Sequence, residues 1–168
     1  MDLLQNEYSR QQKGRNDLNV PFFLTPKQEV IYLSERATMR QAMEKMEYHR
    51  YAAIPLVDDE GRYAGTITEG DLLWKMKNTA GLTFENTNRI FLKDVPRHVQ
   101  NKVVNIQASM EDMIELAKHQ NFVPVADDEG IFIGIVKRSD IIEYWARTLQ
   151  LEQLKLKSYH KKIDRQLL

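Results

Sequence analysis

AAIPLVDDEGRYAGTITEGDLL, residues 52–73, lies over NFVPVADDEGIFIGIVKRSDII, residues 121–142, when the chain is slid against itself by 69 positions. Seven of the 22 pairs are identical: Pro55/Pro124, Asp58/Asp127, Asp59/Asp128, Glu60/Glu129, Gly61/Gly130, Gly65/Gly134 and Asp71/Asp140. Chance gives about one or two identities at a fixed offset, so the chain contains an internal repeat. Within each copy a short apolar run (Ile54–Val57, Val123–Ala126) meets an Asp-Asp-Glu-Gly turn and then β-prone sequence (Tyr63–Ile67, Phe132–Val136), which reads as a β-hairpin.

The pattern extends upstream. Thr38 and Ser109 are capping hydroxyls, and the apolar residues that follow, Met39, Ala42, Met43, Met46 and Met110, Met113, Ile114, Ala117, recur at i, i+3, i+4, i+7. A second helix starts near Thr68 or Lys137, and leading strands fall at Val30–Leu33 and Val103–Ile106. Each unit is therefore strand, helix, strand, strand, helix. A unit of about 60 residues buries only a modest core alone, so the two should pack sheet to sheet as one pseudo-symmetric α+β module. The expected boundaries are an N-terminal extension at 1–20, repeat 1 at 21–80, linker and repeat 2 at 81–146, and a basic C-terminal helix at 147–168. Gly81 is the expected stop for the helix containing Trp74. Thr38 to Pro55 spans 17 positions and Ser109 to Pro124 spans 15, so one wall of the second copy should differ.

Composition narrows the function classes. The 24 Lys plus Arg balance the 24 Asp plus Glu among 168 residues, which argues against coating nucleic acid. With no cysteine there are no disulfides, thiol nucleophiles or cysteine-based metal sites, and together with the lack of a leader-like N-terminus this gives a cytoplasmic expectation. No run of 18 apolar residues suggests a membrane span. The four His show no metal spacing, and no P-loop or nucleophile elbow occurs. The recurring Asp-Asp-Glu cluster is read as turn chemistry.

The apolar-Pro-apolar strand, the acidic turn and above all Gly65-Thr66-Ile67-Thr68-Glu69-Gly70-Asp71 resemble the CBS domain, named after cystathionine β-synthase. Gly134-Ile135-Val136-Lys137-Arg138-Ser139-Asp140 resembles it less fully, because Lys137 replaces the threonine. The resemblance implies a tandem CBS pair that binds an adenine nucleotide (AMP, ADP, ATP or cyclic di-AMP) in two clefts between the repeats. It implies that Thr68 serves phosphate, that Asp71 and Asp140 hold ribose hydroxyls, and that Val30, Ile31, Ala53, Ile54 and Val103, Val104, Phe122, Val123 surround adenine. Lys137 and Arg138 offer charge for phosphate. It implies a non-catalytic sensor without cofactor or metal, a homodimer meeting through its helices, with the apolar faces Met39–Met46 and Met110–Ala117 and with Trp74 and Trp145 offering the surface, and a protein effector acting in trans.

From the residues alone, Thr68 and Asp71 are also a helix-capping pair. Ile54 and Val123 read equally well as core. A nucleotide-independent dimerisation or interaction module is the competing class. The C-terminal segment, with six basic and two acidic residues and no Gly or Pro, reads as a helix that either extends into solvent or contacts a partner.

Overall fold

The computed structural model describes residues 19–166, with side chains as far as Lys157; the expected extension at 1–18 lies outside the described residues. A short helix α1 (Val20–Phe23) leads into β1 (Leu24–Pro26). Repeat 1 follows as β2 (Leu33–Ser34), α2 (Met39–His49), β3 (Ala53–Val57), β4 (Tyr63–Thr68) and α3 (Glu69–Asn78). Repeat 2 is β5 (Val104–Asn105), α4 (Met110–Ala117), β6 (Phe122–Ala126), β7 (Phe132–Lys137) and α5 (Arg138–Gln166). The expected order of elements is present twice. The leading strands are shorter than their β-prone sequence suggests, because only two residues of each pair with β3 or β6.

Local chemistry explains the elements. Thr38 and Gln41 form a reciprocal capping box on α2, and Ser109 caps α4 through the Asp112 N–H at 3.1 Å. In both hairpins the first Asp binds its own turn: Asp58 Oδ1 accepts from Arg62 N at 2.8 Å and Asp127 Oδ1 from Ile131 N at 2.9 Å. Gly61 and Gly130 close these turns at φ of +82° and +81°. Pro55 and Pro124 sit in central strands but just before the residues where β2 and β5 pair, so their missing N–H groups interrupt no ladder on that side. The helix containing Trp74 stops at Asn78, three residues before Gly81, which instead makes a left-handed turn in the linker.

The helices bury the faces that their spacing predicts. Met39, Ala42 and Met46 pack with Leu33, Ile54, Leu56, Ile67 and Leu72 in one core. Met110, Met113 and Ala117 pack with Val104, Val123, Val125, Val136 and Ile141 in the other. Met39, Ala42 and Met46, with Met110, Met113 and Ala117, are thus spent inside the monomer, while Met43 and Ile114 on the same faces stay half-buried.

A third apolar layer joins the repeats. The sheets run β2-β3-β4 and β1-β7-β6-β5. Along β3, Ile54 and Leu56 face the first helical core, while Val57 and Ala53 face the other way and meet Phe122, Phe132 and Ile135 of repeat 2, with Val30 and Tyr63. The hairpins also touch directly, with Phe132 N–H donating to Gly61 O at 3.0 Å.

The leaders of the two repeats are exchanged. β1 precedes repeat 1 but pairs with β7 of repeat 2, Pro26 opposite Gly134. Conversely, the segment before repeat 2 leans on repeat 1: Arg97 donates to Ala64 O at 2.8 Å. Val20, assigned by sequence to the extension, is fully buried in the second core. The linker is ordered against α2, with Arg40 donating to Thr87 Oγ1 at 3.1 Å and its guanidinium 3.6 Å from the Phe84 ring centroid.

Phe132 is fully buried in the layer that both repeats share. Phe132→Ala is expected to cost about 3–5 kcal/mol. Denaturant unfolding should remain one transition at a lower midpoint; two separate transitions would show that the repeats fold independently.

Candidate functional site

The two repeated motifs sit at corresponding strand-to-helix junctions and are built differently. Thr68 ends β4 and caps α3, and Asp71 is the third residue of that helix. Asp71 N–H donates to Thr68 Oγ1 at 3.1 Å, while Asp71 Oδ2 accepts from Thr68 N at 2.9 Å and from Thr68 Oγ1 at 2.7 Å. The other oxygen, Oδ1, accepts the backbone N–H of His98 at 2.9 Å. With both oxygens engaged, Asp71 is only 3% exposed. A carboxylate at a helix N-terminus accepting three protein donors is stable in this form.

At the second junction, Lys137 ends β7 and points to solvent, so no hydroxyl is present to form the same box. Arg138 is pinned instead: its N–H donates to Asn121 O at 3.1 Å and its Nη2 to Asn121 Oδ1 at 2.6 Å. Asp140 is half-buried, and among the described residues Ser139 Oγ, at 3.1 Å, is the one side-chain donor to its carboxylate. This carboxylate, at the start of a long helix, retains acceptor capacity that Asp71 has spent.

The residues expected around adenine divide by depth. Val30, Ala53 and Phe122 come together in the layer between the repeats. Ile31 lies against the first core and Val104 is buried in the second. Ile54 and Val123 have no exposed surface and belong to the helical cores, the alternative that their sequence left open. Val103 is 46% exposed.

Sequence reasoning missed the groups that now hold the backbone beside these residues. The Gln120 side-chain amide accepts from Lys102 N at 2.8 Å and donates to Lys102 O at 3.2 Å and Phe122 O at 3.3 Å. Asn101 Nδ2 also donates to Phe122 O, at 3.2 Å. The one available signal was the shorter spacing of the second copy, which appears as an α4 of eight residues against eleven in α2. At the first junction nothing in the motif announced Arg97 or His98.

Two hollows flank the segment that carries Arg97 and His98. One, of about 680 Å³, is lined by Asp71, Trp74, Lys75, Asn78, Pro96 and His98. The other, of about 510 Å³, lies between Tyr63–Gly65 and residues 93–101. Both fall in the size range of small-molecule sites, about 300–1,000 Å³. Burial pushes the Tyr63 phenol above its ordinary value, against the lowering effect of its hydrogen bond to Thr66 Oγ1 (2.6 Å) and of nearby Arg97. Among the described residues no group of His, Asp and Glu is arranged to hold a metal ion, and no helix is long and apolar enough to cross a membrane.

This doubled strand-helix-strand-strand-helix unit with exchanged leaders defines a tandem two-repeat α+β module, and comparison with known proteins identifies its family. The chain belongs to the CBS domain family, whose model matches residues 23–78 and 92–147. An uncharacterized protein of Methanopyrus kandleri, MK0525, is 26% identical over 136 residues, covering 77% of this chain and 66% of that protein. The chloroplastic CBS domain-containing protein CBSX1 of Arabidopsis thaliana is 21% identical over 144 residues, 71% of this chain and 61% of that protein. The chain thus spans less than two thirds of the length of these curated relatives. Among solved structures, that of CbpB in complex with c-di-AMP superposes with a TM-score of 0.76 at 17% identity, covering 89% of this chain and 99% of that one. CBSX2 in complex with AMP gives 0.61 at 24% identity, covering 80% and 98%.

Asp71→Ala leaves the Thr68 and His98 backbone N–H groups without their acceptor. The expected cost is about 1–3 kcal/mol, read as a fall in Tm of roughly 2–4 °C per kcal/mol. An unchanged Tm would mean that the carboxylate is not the structural cap described.

Proposed function

We propose that this protein is a non-catalytic CBS module that binds an adenine nucleotide, AMP, ADP, ATP or cyclic di-AMP, between its repeats and signals to a protein effector in trans from the cytoplasm. The observation that carries this reading is Asp140: a half-buried carboxylate at the start of α5, with one side-chain donor and with Lys137 and Arg138 beside it. A carboxylate so placed can accept the vicinal 2′- and 3′-hydroxyls of the ribose in AMP, ADP or ATP, or the free 2′-hydroxyl in cyclic di-AMP, and the helix N-terminus with adjacent cations favours phosphate. Solved neighbours of the same fold carry c-di-AMP in CbpB and AMP in CBSX2, which supports the ligand class. The motif that is more complete in sequence, Thr68 with Asp71, supports it less, because its acceptors are already taken.

A thermal-shift series with AMP, ADP, ATP and cyclic di-AMP tests the proposal. At about 100 times the dissociation constant a ligand stabilises by about 2.7 kcal/mol, roughly 5–10 °C at this size. Asp140→Ala should weaken binding by about 1.5–3 kcal/mol, roughly 10–150-fold. No shift with any of the four would favour a nucleotide-independent interaction module, the reading that the fully engaged Asp71 favours.

The module is also proposed to dimerise, through the outer faces of α3 and α5 rather than α2 and α4. Leu73 and Ile142, which correspond at the repeat offset, are 57% and 59% exposed, and Trp74 is 50% exposed beside them. Pairing across a twofold axis would cover them. Light scattering should give twice the chain's 19.8 kDa at micromolar concentration, and Leu73→Glu with Ile142→Glu should return it to one chain. A wild-type mass near 19.8 kDa would end this proposal.

A further inference from the structure

The segment Pro96–Asn101 lies across the first motif as a strap anchored at both ends. Val95 is buried before it, and Asn101 is buried after it with Nδ2 on Phe122 O. Between these anchors Pro96, His98, Val99 and Gln100 are exposed, so the strap is held down by polar contacts rather than by apolar burial. There are two such contacts: His98 N–H to Asp71 Oδ1 at 2.9 Å, and Arg97 Nη1 to Ala64 O at 2.8 Å. Gly65 makes the second possible, since a Cβ there would lie 2.7 Å from Arg97 Nη1. Pro96 lines the hollows on both sides, so the strap divides one cleft into two. Asn101 Oδ1, at its far end, is buried without a hydrogen-bond partner among the described residues, a cost that movement of the strap would relieve. Among the described residues the second junction has no such occupant: β1 runs beside Gly134, and the Asp140 carboxylate has Ser139 Oγ as its one side-chain donor.

We propose that this strap is a built-in occupant of the first cleft, in which the His98 N–H takes the place of a sugar hydroxyl on Asp71, so that nucleotide enters the second cleft first and the first only when the strap lifts. The inference rests on the nucleotide-binding reading above and adds to it a regulation of the first site. Lifting joins the two hollows, frees Asp71 Oδ1 for one hydroxyl donor, and releases a guanidinium beside the opening. Because the same strap connects the repeats, its position also reports occupancy to the linker.

Two measurements test it. Titration calorimetry with AMP and with cyclic di-AMP should give one binding event per chain for the wild type and a second, weaker event in Arg97→Ala, which Asp71→Ala added to that variant removes. Two equivalent events in the wild type, or a stoichiometry unchanged by Arg97→Ala, would overturn the strap. Amide hydrogen exchange at His98 needs no ligand. It should be slow in the wild type and at least tenfold faster in Arg97→Ala, whereas fast exchange in the wild type overturns the strap. If neither nucleotide binds any variant, the nucleotide reading fails, and the exchange result alone decides whether the strap is closed.

Discussion

The apolar layer of Val30, Val57, Phe122, Phe132 and Ile135 is the contact on which the rest of the molecule depends. Each repeat has a sheet with helices on one face, and those helices satisfy only that face. The opposite faces of both sheets carry buried side chains that no element of the same repeat covers. Burying them against each other removes apolar surface at about 25 cal/mol per Å² without ordering any further chain. The repeats are thereby obliged to fold as a pair, and the clefts at the edges of that layer follow from the pairing.

The exchange of leaders reinforces it. β1 extends the sheet of repeat 2, and the Arg97 segment crosses repeat 1, so each half is tied to the other through backbone polar groups as well as apolar contact. Gly134 is required by this exchange: a Cβ there would stand 2.2 Å from Thr25 O, a backbone atom that cannot step aside. Gly65 meets the tip of a flexible arginine instead. The two glycines of the repeat therefore share a position but differ in what a side chain would cost: at Gly134 the neighbour is the backbone of β1, at Gly65 the tip of the Arg97 side chain.

That difference gives the pseudo-symmetric pair two unequal junctions. Threonine in the first motif completes a capping box, drawing Asp71 inward until it is consumed as structure; lysine in the second cannot, and Asp140 stays partly in water. In the first repeat, closeness to the family pattern thus accompanies a closed site. Helix capping and ribose recognition use the same lone pairs, so one carboxylate oxygen cannot serve both at once.

Much of the fold was legible in the sequence. The 69-residue offset, the Thr38 and Ser109 caps, the i, i+3, i+4, i+7 faces and the Asp-to-Gly turns each act within a few residues, and each formed as the local pattern requires. The candidate site was legible only as far as its motif. Whether Ile54 would line a cleft or fill a core, whether the Met39–Met46 face would be spare, and whether Asp71 would be open or closed were decided by tertiary structure. Each answer depends on partners distant in the chain: Met39 and Leu72 for Ile54, Ile54 and Ile67 for the Met39–Met46 face, His98 for Asp71. The backbone N–H that closes Asp71 is one that every non-proline residue possesses, so residue identity carries no trace of it; only the path of the chain brings it there.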